Sequence, residues 1–466
     1  MNETLVLEIA AALVSSGLRD AGYEYINLDA GVWSPNRTAG GAMQPDPAKS
    51  VLNGPVPGLP PPARANRNVF GRRFPSGMKF LSDKLHAQKL KLGLYINLGT
   101  DHATCGTIGS YGNYGQDAKT MAAWGMDLLK VDYCSTDPRL HRANPNAPAG
   151  GWMPTIPTQL ASWQQLRDAL NATGRPIYTE FCPRSYSASS CENGKNCLIP
   201  PNKTLQDCNP GERCINDGPP HEWSGETRQG LANAILTEFG NSHDSWESAM
   251  SNLDALIGLR PQPDVDGPGF FSDGDMLQTC NFGFGGTNCE ASKPGSCPSK
   301  LHMKQAEYQA QFAIWAVMAS QMIISADLRT VQTTQPACFK LLLNQDILAV
   351  SQDPAAHAPE VVLSQNASTV VVKDGHNETK VSVTAQAFSR RLHDGSVALV
   401  MLNRRDRGSL TLTVTWAELG VAASGPCKVR DLIAQKDLPD ATGSFSASVG
   451  PHEAQMVRVS CSGAQS

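Results

Sequence analysis

The chain has 466 residues, a length that predicts a large catalytic domain and a smaller second one with a substantial buried core. Charged residues make up 18% of the chain and the formal net charge is -4, which argues against a nucleic-acid-binding surface and a polybasic membrane-binding one. The sequence contains no run of about 18 apolar residues, the length that a membrane-spanning helix requires. We therefore expect a small neutral ligand, and neither nucleic acid nor a membrane as partner.

In the first two thirds of the chain, short apolar segments alternate with longer helical ones, which is typical of a βα architecture with a parallel sheet. The patterns predict helices at 4–20, 76–90, 115–124, 157–170, 243–257 and 301–320. They predict strands at 25–29, 91–99, 126–134, 176–181, 234–241, 269–277 and 322–328. A closed (β/α)8 TIM barrel needs an eighth strand. Because the chain opens on a helix, we expect a barrel that lacks its first strand and an N-terminus that is incomplete.

Beyond residues 351–354 the pattern changes to short alternating strands separated by turns. Such a pattern predicts an antiparallel β-sandwich. The sequence therefore indicates a catalytic barrel over residues 1–358 and a C-terminal β-sandwich domain over residues 359–466.

Thirteen cysteines favour disulfide bonds over a metal site, because their spacings contain no CxxC pair. Disulfide bonds form in oxidising compartments such as the secretory pathway. Six N-x-S/T sequons are compatible with glycosylation in that pathway. They lie at Asn2, Asn36, Asn171, Asn202, Asn366 and Asn377. We expect a glycoprotein of the secretory pathway, whether extracellular, vacuolar or lysosomal, although the N-terminal segment has no signal-peptide pattern and carries Glu8 in its apolar stretch.

Almost every predicted strand ends in a carboxylate or an amide, and the active site of a βα barrel lies at these strand ends. The residues are Asp29, Asn97, Asp132, Glu180, Asn241, Asp273 and Asp275. A single Asp or Asn after a strand is more often a helix cap. The whole set suits a polyhydroxyl ligand, and paired carboxylates in it indicate glycoside hydrolysis.

Asp132 is the best candidate nucleophile, because Lys130 precedes it by two residues on the same strand face and its charge would keep a neighbouring carboxylate ionised. A surface lysine followed by a capping aspartate is the alternative. The acidic segment 264–275 does not match the spacing of an EF-hand, and the sequence has neither HExxH nor a GxGxxG between a strand and a helix. We therefore expect no metal and no cofactor.

Several blocks of the sequence, in order along nearly the whole chain, resemble the α-galactosidase (melibiase) and α-N-acetylgalactosaminidase family of retaining glycoside hydrolases. The matching blocks are residues 20–29, 74–99, 104–134, 273–277, 314–329, 347–354 and 394–404. The resemblance implies a (β/α)8 barrel with a C-terminal antiparallel β domain, and the release of terminal α-D-galactose from galactosides.

The same resemblance implies a role for each matching position. Asp132, in the LKVD block, corresponds to the nucleophile. The substrate-binding positions are Asp29, Tyr95, Lys130, Glu180, Asp275 and Met276. Cys105 and Cys134 correspond to a family disulfide beside the site.

The acid/base position departs from the family pattern, because TEFGNSHDSW places Asn241 where the family has an aspartate. An asparagine cannot protonate a leaving oxygen. Thr237 and Ala30 also replace family residues. A sugar-binding pseudoenzyme with weakened or lost turnover and an α-N-acetylgalactosaminidase therefore remain alternatives. The sequence leaves a homodimer open.

Overall fold

The structure is a computed structural model, and the part of the chain that it describes falls into two compact units, Met1–Glu238 and Phe239–Ser466. The described residues are 2–45, 73–100, 108–132, 141–142, 153–154, 156–181, 196–198, 213–215, 234–236, 246–258, 271–281, 303–373, 376–423 and 425–461.

The first unit alternates helices and strands. Its helices are α1 (Glu3–Ser15), α2 (Gly77–His86), α3 (Tyr114–Trp124) and α4 (Ile156–Asn171). Its strands are β1 (Tyr25–Asn27), β2 (Lys91–Asn97), β3 (Leu128–Asp132), β4 (His141–Arg142), β5 (Met153–Pro154), β6 (Tyr178–Phe181), β7 (Asn196–Leu198), β8 (Arg213–Ile215) and β9 (Ala234–Leu236).

Five of these strands form one parallel sheet in the order β1-β2-β3-β6-β9. From Leu92 to Asn97, β2 is buried on both faces, which suits a parallel strand covered by helices. Its Gly93 lies opposite Asn27, and a Cβ at this position would come within 2.0 Å of the Asn27 side-chain oxygen. A side chain at residue 93 would therefore require the Asn27 side chain to move away from the strand pair.

Asp127 joins the starts of the central strands. Its Oδ2 accepts the backbone N–H of Leu92 at 2.9 Å and lies 2.8 Å from Nε2 of His86, while Nη2 of Arg175 donates to its Oδ1 at 2.6 Å. These contacts hold β2, β3 and α2 together at the end of the sheet opposite Asp132. Contacts at the amino-terminal ends of β2 and β3 therefore help to fix the register of these strands at Asp132.

The second unit contains a helical part followed by strands. Its helices are α5 (Trp246–Gly258), α6 (Gln305–Val317), α7 (Val331–Thr334), α8 (Pro336–Leu342) and α9 (Gln345–Ser351). Its strands are β10 (Phe271–Ser272), β11 (Glu360–Lys373), β12 (His376–Arg391), β13 (Val397–Asn403), β14 (Leu410–Thr415), β15 (Cys427–Asp431), β16 (Lys436–Ala441), β17 (Ser444–Val449) and β18 (Ala454–Ser460). None of the helices in the described part is both long and apolar enough to cross a bilayer.

The C-terminal strands form an antiparallel sandwich. One sheet has the order β11-β12-β13-β18-β15-β16, and β14 pairs with β17 in a second sheet. In β14, exposed threonines alternate with the buried Leu412 and Val414, which pack into the core between the sheets. Every residue of β13 is buried, because α6 packs on the same sheet. The predicted sandwich is confirmed.

Two disulfides confirm that cysteines of this chain pair with one another. Cys280 bonds to Cys338 beside α8, and Cys427 bonds to Cys461 within the sandwich. The one pair that the family resemblance implies, Cys105 and Cys134, lies outside the described residues.

The expected strand at 322–328 is wrong, because only Ile324 makes a bridge, with Leu277. In its place, side-chain hydroxyls hold the segment against the chain around Asp275. Ser325 donates to the carbonyl of Leu277 at 2.6 Å, and Ser320 accepts the N–H of Gly274 at 2.7 Å. The apolar run predicted a ladder, but hydroxyl-to-backbone bonds replace it.

Candidate active site

Asp132 is the last residue of β3 and is 6% exposed. Its backbone carbonyl accepts the N–H of Leu98, which continues the pairing of β3 with β2. The hydroxyl of Tyr95, from β2, donates a hydrogen bond of 2.6 Å to Oδ2 of Asp132. A carboxylate at the carboxyl end of a parallel strand, aligned by a phenol, is well placed for chemistry in this architecture.

Lys130 lies directly between Tyr95 on β2 and Glu180 on β6 in the strand register. Its ammonium donates to Oδ2 of Asp29 at 3.0 Å and lies 3.8 Å from Oε1 of Glu180. Glu180 is 3% exposed, whereas the Asp29 side chain is 56% exposed. The structure therefore brings three of the predicted substrate-binding residues into one charged cluster beside Tyr95 and Asp132.

Asn97 also stands at a strand end, but its polar groups hold the backbone. Its Oδ1 accepts the N–H of Gly99 at 2.8 Å, and its carbonyl accepts the N–H of Ser110 at 2.8 Å. The chain returns so closely here that a Cβ on Gly109 would lie 2.3 Å from the carbonyl oxygen of Gly99. Asn97 thus shapes the segment that follows β2.

Sequence reasoning did not single out Trp33, which contacts Tyr95 in the structure. Its indole Nε1 donates a 2.6 Å hydrogen bond to the backbone carbonyl of Tyr95, and its ring stacks on Trp124 with centroids 5.4 Å apart. Its only sequence signal is its place shortly after Asp29, in the loop that follows β1.

Asp275 and Met276 belong to the second unit and form a tight turn. Asp275 has a φ of 67°, and its N–H donates to Oδ1 of Asp273 at 2.8 Å. Oδ1 of Asp275 accepts the N–H of Met276, and its carbonyl accepts Nε1 of Trp315 at 2.8 Å. A left-handed non-glycine residue held by its neighbours is typical of functional turns.

The position of the expected acid/base, Asn241, lies outside the described residues. Within the part of the chain that the structure describes, no three histidine, cysteine or acidic side chains are grouped so that they could hold a metal ion.

The sequence pattern of the alpha galactosidase A family matches residues 1–55, 63–196 and 298–353, more than half of the chain. The chain belongs to the α-galactosidase family. Residues 383–459 match the alpha galactosidase C-terminal beta sandwich domain. The chain is therefore a glycoside hydrolase of this family, as the sequence predicts, and its fold is the expected barrel with a C-terminal sandwich.

Relatives of known name extend over most of this α-galactosidase-family chain. A probable alpha-galactosidase of Dictyostelium discoideum is 25% identical over 97% of this chain and 86% of its own length. An alpha-N-acetylgalactosaminidase of Gallus gallus is 27% identical over 94% of this chain and 81% of its own length. The crystal structure of alpha-galactosidase I from Mortierella vinacea superimposes with a TM-score of 0.62 at 23% identity, covering 100% of this chain and 94% of that one. This last similarity supports the fold.

Proposed function

We propose that this chain is a retaining glycosidase that releases terminal α-D-galactose, with Asp132 as its nucleophile. The observation that carries the proposal is the buried Asp132 carboxylate, which receives the Tyr95 hydroxyl at 2.6 Å at the carboxyl end of a parallel sheet. A hydrogen bond to one carboxylate oxygen fixes the rotation of the group, so the other oxygen can face an anomeric carbon.

The cluster around Lys130 supports a sugar ligand. Its ammonium is a donor, and the carboxylates of Asp29 and Glu180 are acceptors, all within one small region. A hexose presents hydroxyls that both donate and accept, and such mixed groups hold it in one orientation. Asp275 and Met276, which lie in the second unit, stay predicted substrate-binding residues.

In the first step, an oxygen of Asp132 attacks the anomeric carbon from the β face as the bond to the aglycone oxygen breaks. The product is a covalent β-galactosyl ester and the departing alkoxide, which needs a proton. Water then attacks the anomeric carbon from the α face and breaks its bond to the Asp132 oxygen, which frees the carboxylate and returns galactose with its original anomeric configuration. The attacking water gives one proton to solvent, and the departed alkoxide takes one from solvent, so the two steps together consume one water molecule. Asn241 cannot supply the proton in the first step, so aglycones that leave without help should react best.

Two alternatives rest on specific observations. The asparagine at position 241 favours a sugar-binding pseudoenzyme. The relative from Gallus gallus is an alpha-N-acetylgalactosaminidase, which keeps the N-acetylated sugar as a second substrate class. The proposed substrate is an α-galactoside oligosaccharide or glycoconjugate. A homodimer is one oligomeric state that the sequence allows.

The disulfides Cys280–Cys338 and Cys427–Cys461 support an oxidising setting, so we place the chain in the secretory pathway. The sequon asparagines Asn36, Asn171 and Asn366 are exposed and suit a glycoprotein.

The test measures hydrolysis of nitrophenyl α-galactoside and nitrophenyl α-N-acetylgalactosaminide, together with galactose binding by calorimetry. Asp132→Asn should abolish hydrolysis of the galactoside and still bind galactose. Asp83→Asn, at an exposed carboxylate on α2, is the matched control and should leave both unchanged. Galactose binding without turnover in the parent chain would favour the pseudoenzyme, and faster turnover of the N-acetylated substrate would favour the second alternative.

A further inference from the structure

Trp33 is buried to 1% exposure and lies in the loop that begins at Asp29. A bridge between Trp33 and Pro45, and the bond from the N–H of Ser34 to the carbonyl of Gln44, fix its backbone. Its ring is fixed by the stack on Trp124, with an interplanar angle of 15°. The indole is therefore held rigidly from both its backbone and its face.

The place where the indole N–H binds is significant. The pairing of β1 with β2 ends where the N–H of Leu28 donates to the carbonyl of Gly93. Two residues further along β2, the carbonyl of Tyr95 accepts the Trp33 indole N–H on the side of the strand that β1 has left. Trp33 thus extends the support of β2 past the last rung of β1, at the residue whose hydroxyl binds Asp132.

From this geometry we propose that Trp33 is a positioning residue for the glycosidase reaction, acting on Asp132 through Tyr95. The inference rests on the proposed function, in which Asp132 is the nucleophile. The indole N–H binds the backbone carbonyl of Tyr95 and fixes the position of that peptide group. The peptide position determines where the Tyr95 hydroxyl lies, and the hydroxyl orients the Asp132 carboxylate for attack. At 1% exposure, Trp33 acts through these two residues without touching the sugar.

Such a role makes a distinct kinetic prediction. Removing the hydrogen bond from the Trp33 indole to the Tyr95 carbonyl should lower kcat by about 3- to 10-fold, the effect of losing one ordinary hydrogen bond. It should change KM much less, because the Lys130 cluster that binds the sugar is untouched. If Trp33 only supported the fold, its substitution would lower the free energy of unfolding and would not lower kcat more than it changes KM.

The experiment is a double-mutant cycle between positions 33 and 95, with nitrophenyl α-galactoside as substrate. Trp33→Phe removes the indole N–H, and genetic replacement of Trp33 by benzothienylalanine removes the same N–H while keeping the ring shape, in case the phenylalanine variant folds poorly. Each change is made with and without Tyr95→Phe. Trp124→Phe is the matched control, because it weakens the same stack and leaves the hydrogen bond to Tyr95 in place.

A second measurement, of dissociation constants, tests the proposal even if the chain binds the sugar but does not hydrolyse the substrate. A galactose-configured iminosugar carries a positive charge that pairs with an aligned nucleophile, whereas galactose does not, so their dissociation constants are compared in the same variants. We expect loss of the indole N–H to weaken iminosugar binding several-fold more than galactose binding.

The proposal predicts that removing the indole N–H has a clear effect when Tyr95 is present and little further effect once its hydroxyl is gone. Equal effects in both backgrounds would overturn it, as would an equal kcat loss in Trp124→Phe. Absence of turnover in the parent chain would count against the proposed function alone, since the iminosugar comparison would still decide the role of Trp33.

Discussion

The hydroxyl of Tyr95 donates to Oδ2 of Asp132 across 2.6 Å, between neighbouring parallel strands. The two residues come together because Asn97 of β2 pairs with Asp132 of β3, which places Tyr95 one pleat below the carboxylate on the same face. The proposed chemistry depends on this contact, since it orients the group that would form the bond to the sugar.

Tyr95→Phe should lower kcat for nitrophenyl α-galactoside about tenfold or more, because a hydrogen bond to a charged group is worth about 1.5–3 kcal/mol. Steady-state kinetics measures the change. Tyr114→Phe is the control, as its hydroxyl is also buried but donates to the carbonyl of Leu98. The role assigned to Tyr95 would be refuted by an equal fall in kcat in both variants, or by none in Tyr95→Phe.

Lys130→Met should weaken galactose binding at least tenfold, because it removes the ammonium that donates to Asp29 and forms an ion pair with Glu180. It should also destabilise the fold by about 2–3 kcal/mol, since the buried Glu180 loses its cation. Calorimetry and urea unfolding measure the two effects. Adding Glu180→Gln should restore much of the stability and none of the binding. Full binding in Lys130→Met would exclude this cluster from the sugar site.

If Asn241 occupies the acid/base position, as we propose, nitrophenyl α-galactoside should be hydrolysed far faster than melibiose, because nitrophenolate leaves without a proton and an amide is too weak an acid to supply one. Asn241→Asp should raise kcat on melibiose by about 10²–10⁴-fold, the usual contribution of a general acid, with a much smaller gain on the nitrophenyl substrate. Comparable efficiency of the parent chain on the two substrates would show that another group serves as the acid.

Protonation of Asp353 should make the second unit less stable in acid. Burial raises the pKa of its carboxyl, but hydrogen bonds from the side chain and backbone of His393 and from the N–H of Ala355 outweigh burial and hold the pKa below its ordinary value. Because the folded pKa is the lower one, its stabilisation is fully present above the unfolded pKa and disappears as the pH falls through the folded one.

Asp353→Asn should therefore cost about 1–2 kcal/mol in urea unfolding at pH 6–7, and the cost should shrink below about pH 4 as the parent carboxyl becomes protonated. Asp440→Asn, at an exposed position of β16, is the control and should cost little at either pH. A cost for Asp353→Asn that is independent of pH would contradict a stabilising charge on this residue.

The local sequence predicted β2 and β3 and the residues at their ends, because both strands are apolar runs long enough to be buried on both faces. It also placed Lys130 and Asp132 on one face from the two-residue period of a strand. The partner of Lys130 was harder to predict. Its charge was expected to act on Asp132. The structure pairs it with Asp29 and Glu180, and these contacts depend on the register between separate strands.

Other features had no local signal. The indole of Trp33 binds a backbone carbonyl 62 residues away, and a backbone acceptor leaves no trace in the side-chain pattern. The apolar run at 322–328 looked like a strand, yet hydroxyls of Ser320 and Ser325 bind the neighbouring backbone there. Long-range contacts with the main chain are therefore what the sequence could not supply.

The most direct test of the central claim is to trap the covalent intermediate on 5-fluoro-α-galactosyl fluoride. Fluoride leaves without a general acid, so Asn241 does not block the first step, and the ring fluorine slows hydrolysis of the ester. Peptide mass spectrometry should find one fluorogalactosyl group on Asp132, and none in Asp132→Asn. An adduct on Asp29 or Glu180, or consumption of the fluoride with Asp132 unmodified, would contradict the account.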